Sequence, residues 1–219
     1  MADAVTRDAR EFYEQLYHFD RDVVVAGEQR LARALDQLEP LSGHVFLDLG
    51  TGVGWAAHLA RQRGAVRAIG VDFAWRALRL GADHVPDVDR VQADGCRLPL
   101  RDGSVGRLLS FGSLEHFPDV DQGLREIARV LAPQGRAVVV VPNFHVRTEQ
   151  PTELRLSRGG WRRRFQGAGL ETLATGADHG PGVLHDHKPA RVALRFAART
   201  LGLVPGLQYQ FIFTLRRAG

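Results

Sequence analysis

The feature that most constrains the fold is an alternation between residues 44 and 143, where short apolar segments are separated by amphipathic ones. Five segments are predicted to be β-strands, at residues 44–49, 66–71, 89–93, 105–111 and 136–141. Apolar residues at helical spacing predict helices in three of the intervals, at 55–63, 74–84 and 120–131. Strands that alternate with helices in this way form a parallel sheet covered by helices on both faces.

The flanking regions complete the predicted domain. Residues 1–40 are predicted to form an N-terminal helical cap that ends at Pro40. The C-terminal region is predicted to hold a helix at 160–167, a strand at 170–174, a loop at 177–187, a helix at 189–201 and a strand at 208–215. We therefore predict one α/β domain over residues 1–219, with a Rossmann-like, seven-stranded, mostly parallel sheet whose last strand is antiparallel. Residues 41–143 would bind a cofactor, and residues 144–219 would face the substrate.

Composition excludes several classes of protein. The sequence has no run of about 18 apolar residues, so we expect no membrane span. Cys96 is the only cysteine, which excludes an internal disulfide, and the polar N-terminus lacks a secretory signal, so we expect a cytoplasmic protein. The net charge of +4 is nearly all arginine, because Lys188 is the only lysine. This charge favours a nucleic-acid partner only weakly.

A glycine-rich turn follows the first predicted strand, in the segment VFLDLGTGVGW at 45–55. The dinucleotide-binding pattern G-x-G-x-x-G is incomplete, because Trp55 stands where the third glycine is needed. Asp48 precedes the first glycine, and a carboxylate there would repel a bound pyrophosphate. The turn therefore favours a ligand that carries an ammonium group.

Two further acids end the next two predicted strands. Asp72 lies about where an acid binds ribose hydroxyls in nucleotide-binding sheets, and Phe73 offers an apolar face to a base. Asp94 ends the third strand, and its carboxylate can accept a hydrogen bond from an adenine amine. An ammonium, a ribose and an adenine without a phosphate are the parts of S-adenosyl-L-methionine.

The sequence blocks that carry these residues resemble the class I S-adenosylmethionine-dependent methyltransferases of the small-molecule group. The blocks are VFLDLGTGVG, IGVDF, VQADGCRLPLRDGSVG, LLSFGSLEHFPD and LREIARVLAPQGRAVVVVPN, in order over residues 44–143. The resemblance implies cofactor contacts from Tyr17, Asp48, Gly50, Thr51, Gly52, Asp72, Phe73, Asp94, Gly95, Cys96, Ser110 and Phe111. Tyr13 is an alternative to Tyr17, and either tyrosine could instead pack within the N-terminal helix. The family often has cysteine where this chain has Thr51.

Methyl transfer to a hydroxyl or a protonated amine needs a base. His116, in GSLEHFPD after the fourth strand, is the first candidate, and Glu115 could orient it or cap the next turn. His145, after the fifth strand, is the second candidate base, or else a solvated loop residue.

A metal site is not expected from the sequence. The pair Glu115–His116 resembles the metal-assisted quinone O-methyltransferases, but their further glutamate corresponds to Gly112 here. His179, His185 and His187 could also bind a metal, but their spacing fits no standard metal motif. Contact with the substrate is the favoured role for this histidine-rich segment.

The segment WRRRF at 161–165 concentrates positive charge. We predict that Trp161 and Phe165 pack inward and that the cluster Arg162–Arg164 is solvated; an acidic partner is the alternative. The helix predicted at 189–201 is amphipathic, and could form a lid over the cleft or part of the core.

The sequence therefore predicts a methyltransferase that acts on an oxygen or nitrogen atom of a small molecule. A nucleic-acid or protein methyltransferase is an alternative, but the segment SFGSLEH lacks the [DN]-P-P-[YFW] tetrad of base-methylating enzymes. A non-catalytic cofactor-binding module is the other alternative. The methyl acceptor and the oligomeric state stay open.

Overall fold

The computed structural model describes residues 21–144, 153–178 and 209–219, and the side chains of all of these except residues 21–27. Its strands are β1 (Val45–Leu49), β2 (Arg67–Asp72), β3 (Asp89–Gln92), β4 (Val105–Phe111), β5 (Leu131–Pro142), β6 (Leu170–Asp178) and β7 (Gln210–Arg217). Its helices are α1 (Arg21–Asp36), α2 (Trp55–Gln62), α3 (Trp75–His84), α4 (Val120–Val130) and α5 (Arg158–Gly167), with a short 3₁₀ helix at Leu114–His116.

The seven strands form one sheet in the order β3-β2-β1-β4-β5-β7-β6. Strands β1 to β5 are parallel to their neighbours, and β7 runs antiparallel to both β5 and β6. The predicted fold class is thereby confirmed, including the antiparallel last strand. Strand order reverses between β1 and β4, and ligands of such sheets bind beyond the carboxyl ends of the strands at this reversal.

Helices cover both faces of the sheet. On one face α1 and α2 contribute Leu35 and Ala57 to a buried cluster with Phe46 of β1. On the other face α4 and α5 contribute Ile127 and Trp161 to a second cluster. The central strand β5 is buried on both sides from Ala137 to Val141, which explains its unbroken apolar sequence.

Two strands extend beyond their predicted bounds. The fifth strand was predicted to begin at residue 136, but β5 already begins at Leu131 and pairs there with Val105. The next paired residues are Arg107 and Arg136, so the residues between bulge out of a continuing ladder. Strand β6 continues to Asp178 rather than ending at residue 174, because β7 supplies backbone partners along its whole length.

Parts of the prediction fall outside the described residues. These parts are the chain before residue 21, most of the predicted loop at 177–187 and the helix predicted at 189–201. Within the described ranges, no helix is both long enough and apolar enough to cross a bilayer.

Candidate functional site

The glycine turn after β1 is bound to the end of β2. The backbone N–H groups of Gly50 and Thr51 both donate to the carbonyl oxygen of Val71, at 2.8 and 3.0 Å. Gly50 has a φ of 77°, which disfavours any residue with a side chain. A Cβ at Gly50 would lie 2.2 Å from the Ser113 hydroxyl oxygen. The turn therefore presents bare backbone at the strand-order reversal.

Asp48 lies beneath this turn and is 3% exposed. Its Oδ2 accepts a hydrogen bond of 2.6 Å from the Thr51 hydroxyl. Burial raises the pKa of Asp48 to about 7, although the Thr51 hydrogen bond opposes this rise and the nearby Asp72 adds to it. A cation placed against Asp48 would offset the cost of burying its charge.

Asp72, at the end of β2, is oriented by two backbone groups. Its Oδ2 accepts from the N–H of Gly52 at 2.8 Å, and its Oδ1 accepts from the N–H of Ala74 at 2.9 Å. The following Phe73 is partly buried and packs against Ala74. The structure therefore brings Asp48, Asp72 and the glycine turn together, as the sequence predicted.

Asp94 lies in the loop after β3 and is exposed. Its Oδ1 accepts from the N–H of Cys96 at 2.8 Å, and the Cys96 thiol donates to the carbonyl oxygen of Asp119 at 3.3 Å. A Cβ at Gly95 would lie 2.3 Å from the Phe117 ring, so glycine is needed for this close packing. Burial raises the pKa of the Cys96 thiol to about 11, so the thiol stays protonated at neutral pH.

Ser110 and Phe111 end β4 and point to opposite faces of the sheet, because side chains alternate along a strand. Ser110 is fully buried, and its Oγ has no hydrogen-bond partner among the described residues. Phe111 packs with the α1 and α2 cluster, and the Arg30 guanidinium lies 5.1 Å from its ring centre. The two side chains therefore do not line one common face of the sheet, although both lie at the end of β4.

Arg30 joins α1 to the far strands at the same edge of the sheet. Its guanidinium forms an ion pair with Asp178 at the end of β6, and its Nη2 donates to Gln210 Oε1 at 2.8 Å. Asp178 is 3% exposed. Sequence reasoning missed this contact, because Asp178 lay in a predicted loop and no motif relates it to α1.

The 3₁₀ helix after β4 carries the predicted base. Ser113 precedes this helix, and its hydroxyl donates to the carbonyl oxygen of Gly50 at 3.2 Å, which places the helix beside the glycine turn. Glu115 is 2% exposed, and burial raises its pKa to about 8, with its own backbone N–H opposing this rise and Glu153 adding to it.

Glu153 is a residue that the sequence did not single out. One ligand-type atom from each of Glu115, His116 and Glu153 lies within 4.8 Å of the other two. The N–H of Leu154 donates to the carbonyl oxygen of Glu115 at 2.8 Å, which holds this segment against the 3₁₀ helix. No motif could have shown this proximity, because only the fold brings Glu153 to the pair.

Several predicted site residues lie outside the described part of the chain. They are Tyr13, Tyr17, His145, His179, His185 and His187. The predicted packing of α5 is confirmed, because Trp161 and Phe165 are both fully buried. Arg164 is bound to Asp121 of α4 at 2.6 Å.

Comparisons with known proteins agree with this geometry. The family described as "Methyltransferase domain" matches residues 47–139. Methyltransferase GfsG of Streptomyces halstedii is 33% identical over 165 residues, which cover 64% of this chain and 59% of that protein. The chain therefore spans less than two thirds of the length of GfsG.

A second relative matches over more of its length. A protein of Mycolicibacterium smegmatis, described as a probable S-adenosylmethionine-dependent methyltransferase, is 31% identical over 201 residues, covering 82% of this chain and 74% of that protein. The solved structure of geranyl diphosphate C-methyltransferase from Streptomyces coelicolor A3(2), in complex with Mg²⁺, geranyl diphosphate and S-adenosyl-L-homocysteine, shares the fold. Its TM-score is 0.76 at 14% identity over 98% of both chains. With the acids and the glycine turn in place, the chain belongs to the S-adenosylmethionine-dependent methyltransferases.

Proposed function

We propose that this chain transfers a methyl group from S-adenosyl-L-methionine to an oxygen or nitrogen atom of a small molecule. The observation that carries the proposal is the pair of buried acids, Asp48 and Asp72, that the glycine turn fixes at the ends of two adjacent strands. The two carboxylates suit an ammonium group and ribose hydroxyls, and they disfavour a pyrophosphate.

The residues present fit this cofactor. Asp48, Gly50 and Gly52 would hold its methionine end, where a Cβ at Gly50 would collide with Ser113. Asp72 would hold the ribose. Thr51 would keep Asp48 oriented through the hydrogen bond between them. The cofactor supplies a methyl group that its positively charged sulfur already activates.

The outer contacts of the cofactor follow from the same placement. Phe73 would lie against the adenine, and Asp94, supported by Gly95 and Cys96, would reach its amine. Ser110 and Phe111 would approach the methionine part from the end of β4. Tyr17 would add a contact from the N-terminal segment.

The acceptor would enter beside the 3₁₀ helix. His116 would take the acceptor proton, because it follows the strand end that borders the glycine turn. His145 is the second candidate for this role.

A small acceptor is favoured over a nucleic acid or a protein. The segment after β4 reads SFGSLEH and has no tetrad for holding a base. The single cysteine suits a reducing cytoplasm, where we place the reaction.

The first experiment is calorimetric titration of the protein with S-adenosyl-L-methionine, S-adenosyl-L-homocysteine and NADH. We expect micromolar binding of the first two compounds and a large loss of affinity in Asp72→Asn. Asp89→Asn is the matched control, because Asp89 is exposed and lies in a surface ion pair with Arg67. Binding of NADH alone would overturn the proposal.

The second experiment measures S-adenosyl-L-homocysteine release during an acceptor screen. With a working acceptor, His116→Ala should leave cofactor affinity nearly unchanged and lower turnover by about a hundredfold or more. Unchanged turnover would remove His116 as the base.

A further inference from the structure

We propose that Glu115, His116 and Glu153 form a binding site for one divalent cation at the acceptor side of the cleft. The three side chains supply two carboxylates and an imidazole, from the 3₁₀ helix and from the segment before α5. The sequence lacked a third ligand because Gly112 stands where the quinone O-methyltransferases have a glutamate. The fold supplies one by bringing Glu153 to Glu115 and His116 from elsewhere in the chain.

The spacing of the three groups is close to that of a coordination shell. Their ligand-type atoms lie within 4.8 Å of one another. Oxygen and nitrogen ligands bind such metals at about 2.0–2.2 Å, so neighbouring ligands of one ion are about 3–3.6 Å apart. Side-chain rotations that bring the three ligand-type atoms about 1 Å closer together would complete the shell.

Glu115 supplies independent evidence for a ligand. Its side chain is buried at 2% residue exposure, and its Oε2 has no hydrogen-bond partner among the described residues. Buried polar groups without partners cost free energy, and native proteins rarely leave them unsatisfied. A cation shared with Glu153 would satisfy this oxygen and would also relieve the repulsion between the two carboxylates.

The backbone holds the three ligands in place. The N–H of Leu154 donates to the carbonyl oxygen of Glu115, so the residue next to Glu153 is tied to the 3₁₀ helix. Leu156 forms a bridge to Asn143 at the end of β5.

The ligand set indicates the class of metal. Carboxylates suit Mg²⁺ and Mn²⁺, whereas imidazole suits Zn²⁺ and the later transition metals. A mixed set of two carboxylates and one imidazole therefore fits Mn²⁺ or Zn²⁺ better than Ca²⁺. We use Mn²⁺ as the probe because its paramagnetism reports binding directly.

The role of the ion rests on the proposed function. A cation beside the glycine turn would lower the pKa of an acceptor hydroxyl, whose proton would then pass to solvent. With the ion bound, His116 would be a ligand, and it would take the acceptor proton itself only in the metal-free protein. Binding of the ion itself can be tested without any acceptor.

The test is a titration of chelator-treated full-length protein with Mn²⁺, followed by electron paramagnetic resonance of the free ion. We expect one saturable site, and at least about tenfold weaker binding in Glu115→Gln and Glu153→Gln. Glu171→Gln is the matched control, because Glu171 lies on β6 in an exposed ion pair with Arg216. The control should bind Mn²⁺ as the unchanged protein does.

Two results would overturn the site. One is the absence of saturable binding below about 1 mM Mn²⁺, which corresponds to an affinity near 4 kcal/mol. The other is equal Mn²⁺ binding by the unchanged protein and both variants. Glu153 lies outside the helices and strands, so Glu153→Gln tests the site even if Glu115→Gln fails to fold.

Calorimetry with S-adenosyl-L-methionine on the same samples separates this inference from the proposed function. Mn²⁺ binding without cofactor binding would support the metal site and overturn the methyltransferase proposal. Cofactor binding without Mn²⁺ binding would support the methyltransferase proposal and overturn the metal site.

Discussion

At the scale of single residues, Asp48 is the acid at the glycine turn whose negative charge is most disfavoured by its surroundings. Its carboxyl is buried beside a second acid, Asp72, and accepts a hydrogen bond from the Thr51 hydroxyl. Its pKa of about 7 means that the protein without a ligand holds a proton there through much of the neutral range. A ligand cation would favour the ionised form and would release that proton.

The first prediction is that S-adenosyl-L-methionine binds more tightly as pH rises from 5.5 to 7.5. Below the Asp48 pKa, binding must expel a proton, so affinity should rise by up to about tenfold per pH unit there and level off near pH 7. At higher pH the gain is offset, because an α-amino group with a pKa of about 7.7–8.0 has lost about half of its protons near pH 8.

Calorimetry in two buffers of different ionisation enthalpy measures this proton release. Asp48→Asn is the control, because the amide keeps the shape of the side chain and cannot titrate. The variant should bind more weakly and with little dependence on pH over this range. A flat affinity profile for the unchanged protein would contradict the assignment of Asp48 to the ammonium.

The sequence could predict which residues meet at the glycine turn, but not the long-range contacts of Glu153 and Arg30. Asp48 and Asp72 were predictable because each ends an apolar segment, and parallel strands bring such ends to one edge. Glu153 and Arg30 were not, because their partners are distant in sequence and follow no periodic pattern. Burial and hydrogen bonding appear only once the chain is folded.

At the scale of secondary-structure elements, α3 is packed closely onto the glycine turn. A Cβ at Gly81 of α3 would lie 2.1 Å from the carbonyl oxygen of Val53. The Arg90 guanidinium donates to the Gly81 carbonyl oxygen at 2.7 Å, which joins α3 to β3 as well. Glycine is therefore required in the middle of this helix, despite its low helix propensity.

The second prediction concerns Gly81→Ala. The added methyl group should force α3 and the turn apart, lowering the free energy of unfolding by about 1–3 kcal/mol and cofactor affinity with it. Gly167→Ala is the matched control in α5, because a Cβ there has no heavy atom within 4 Å. Urea denaturation and calorimetry measure the two effects, and equal behaviour of the two variants would contradict the close packing.

The third prediction concerns the attachment of α1 to the sheet. Arg30→Met would leave Asp178 buried without its guanidinium, and loss of one partner of a buried pair costs about 3–5 kcal/mol. Because the Arg30 side chain is 18% exposed, we expect the lower end of that range. Urea denaturation gives the free energy, and native-state hydrogen exchange should show α1 opening first.

Arg63→Met is the control for this variant. Arg63 pairs with Asp36 and Glu39, which are 59% and 44% exposed, and exposed pairs contribute about 1 kcal/mol at most. A similar loss of stability in both variants would mean that the Arg30–Asp178 pair contributes no more than a surface contact.

The observed bounds of the strands show which of them sequence patterns can predict and which they cannot. The strands β1, β2 and β4 were predicted within a residue or so, because they are short apolar runs bounded by turns. The extension of β6 through Thr175 and Gly176 was missed, because those residues have weak strand patterns and are ordered by pairing with β7. Hydrogen bonding between strands that are distant in sequence thus sets the strand bounds that local residue preferences do not determine.

At the scale of the whole molecule, the candidate site is built from segments that are distant in the sequence. The glycine turn is bound to β2 through Val71 and to the segment after β4 through Ser113. A ligand held by Asp48 and Asp72 would therefore stabilise the centre of the sheet, and not one loop alone. A ligand that binds the folded state and not the unfolded chain raises the free energy of unfolding by mass action.

The fourth prediction follows from this linkage. At a concentration one hundred times its Kd, S-adenosyl-L-homocysteine should stabilise the protein by about 2.7 kcal/mol. For a chain of this length each kcal/mol raises Tm by about 2–4 °C, so we expect a shift of about 5–10 °C. Differential scanning calorimetry measures the shift, which should be much smaller in Asp72→Asn and unchanged in Asp89→Asn. A Tm shift that persists in Asp72→Asn would place the ligand away from the end of β2. An equal Tm shift with NADH would mean that the glycine turn does not select against a pyrophosphate.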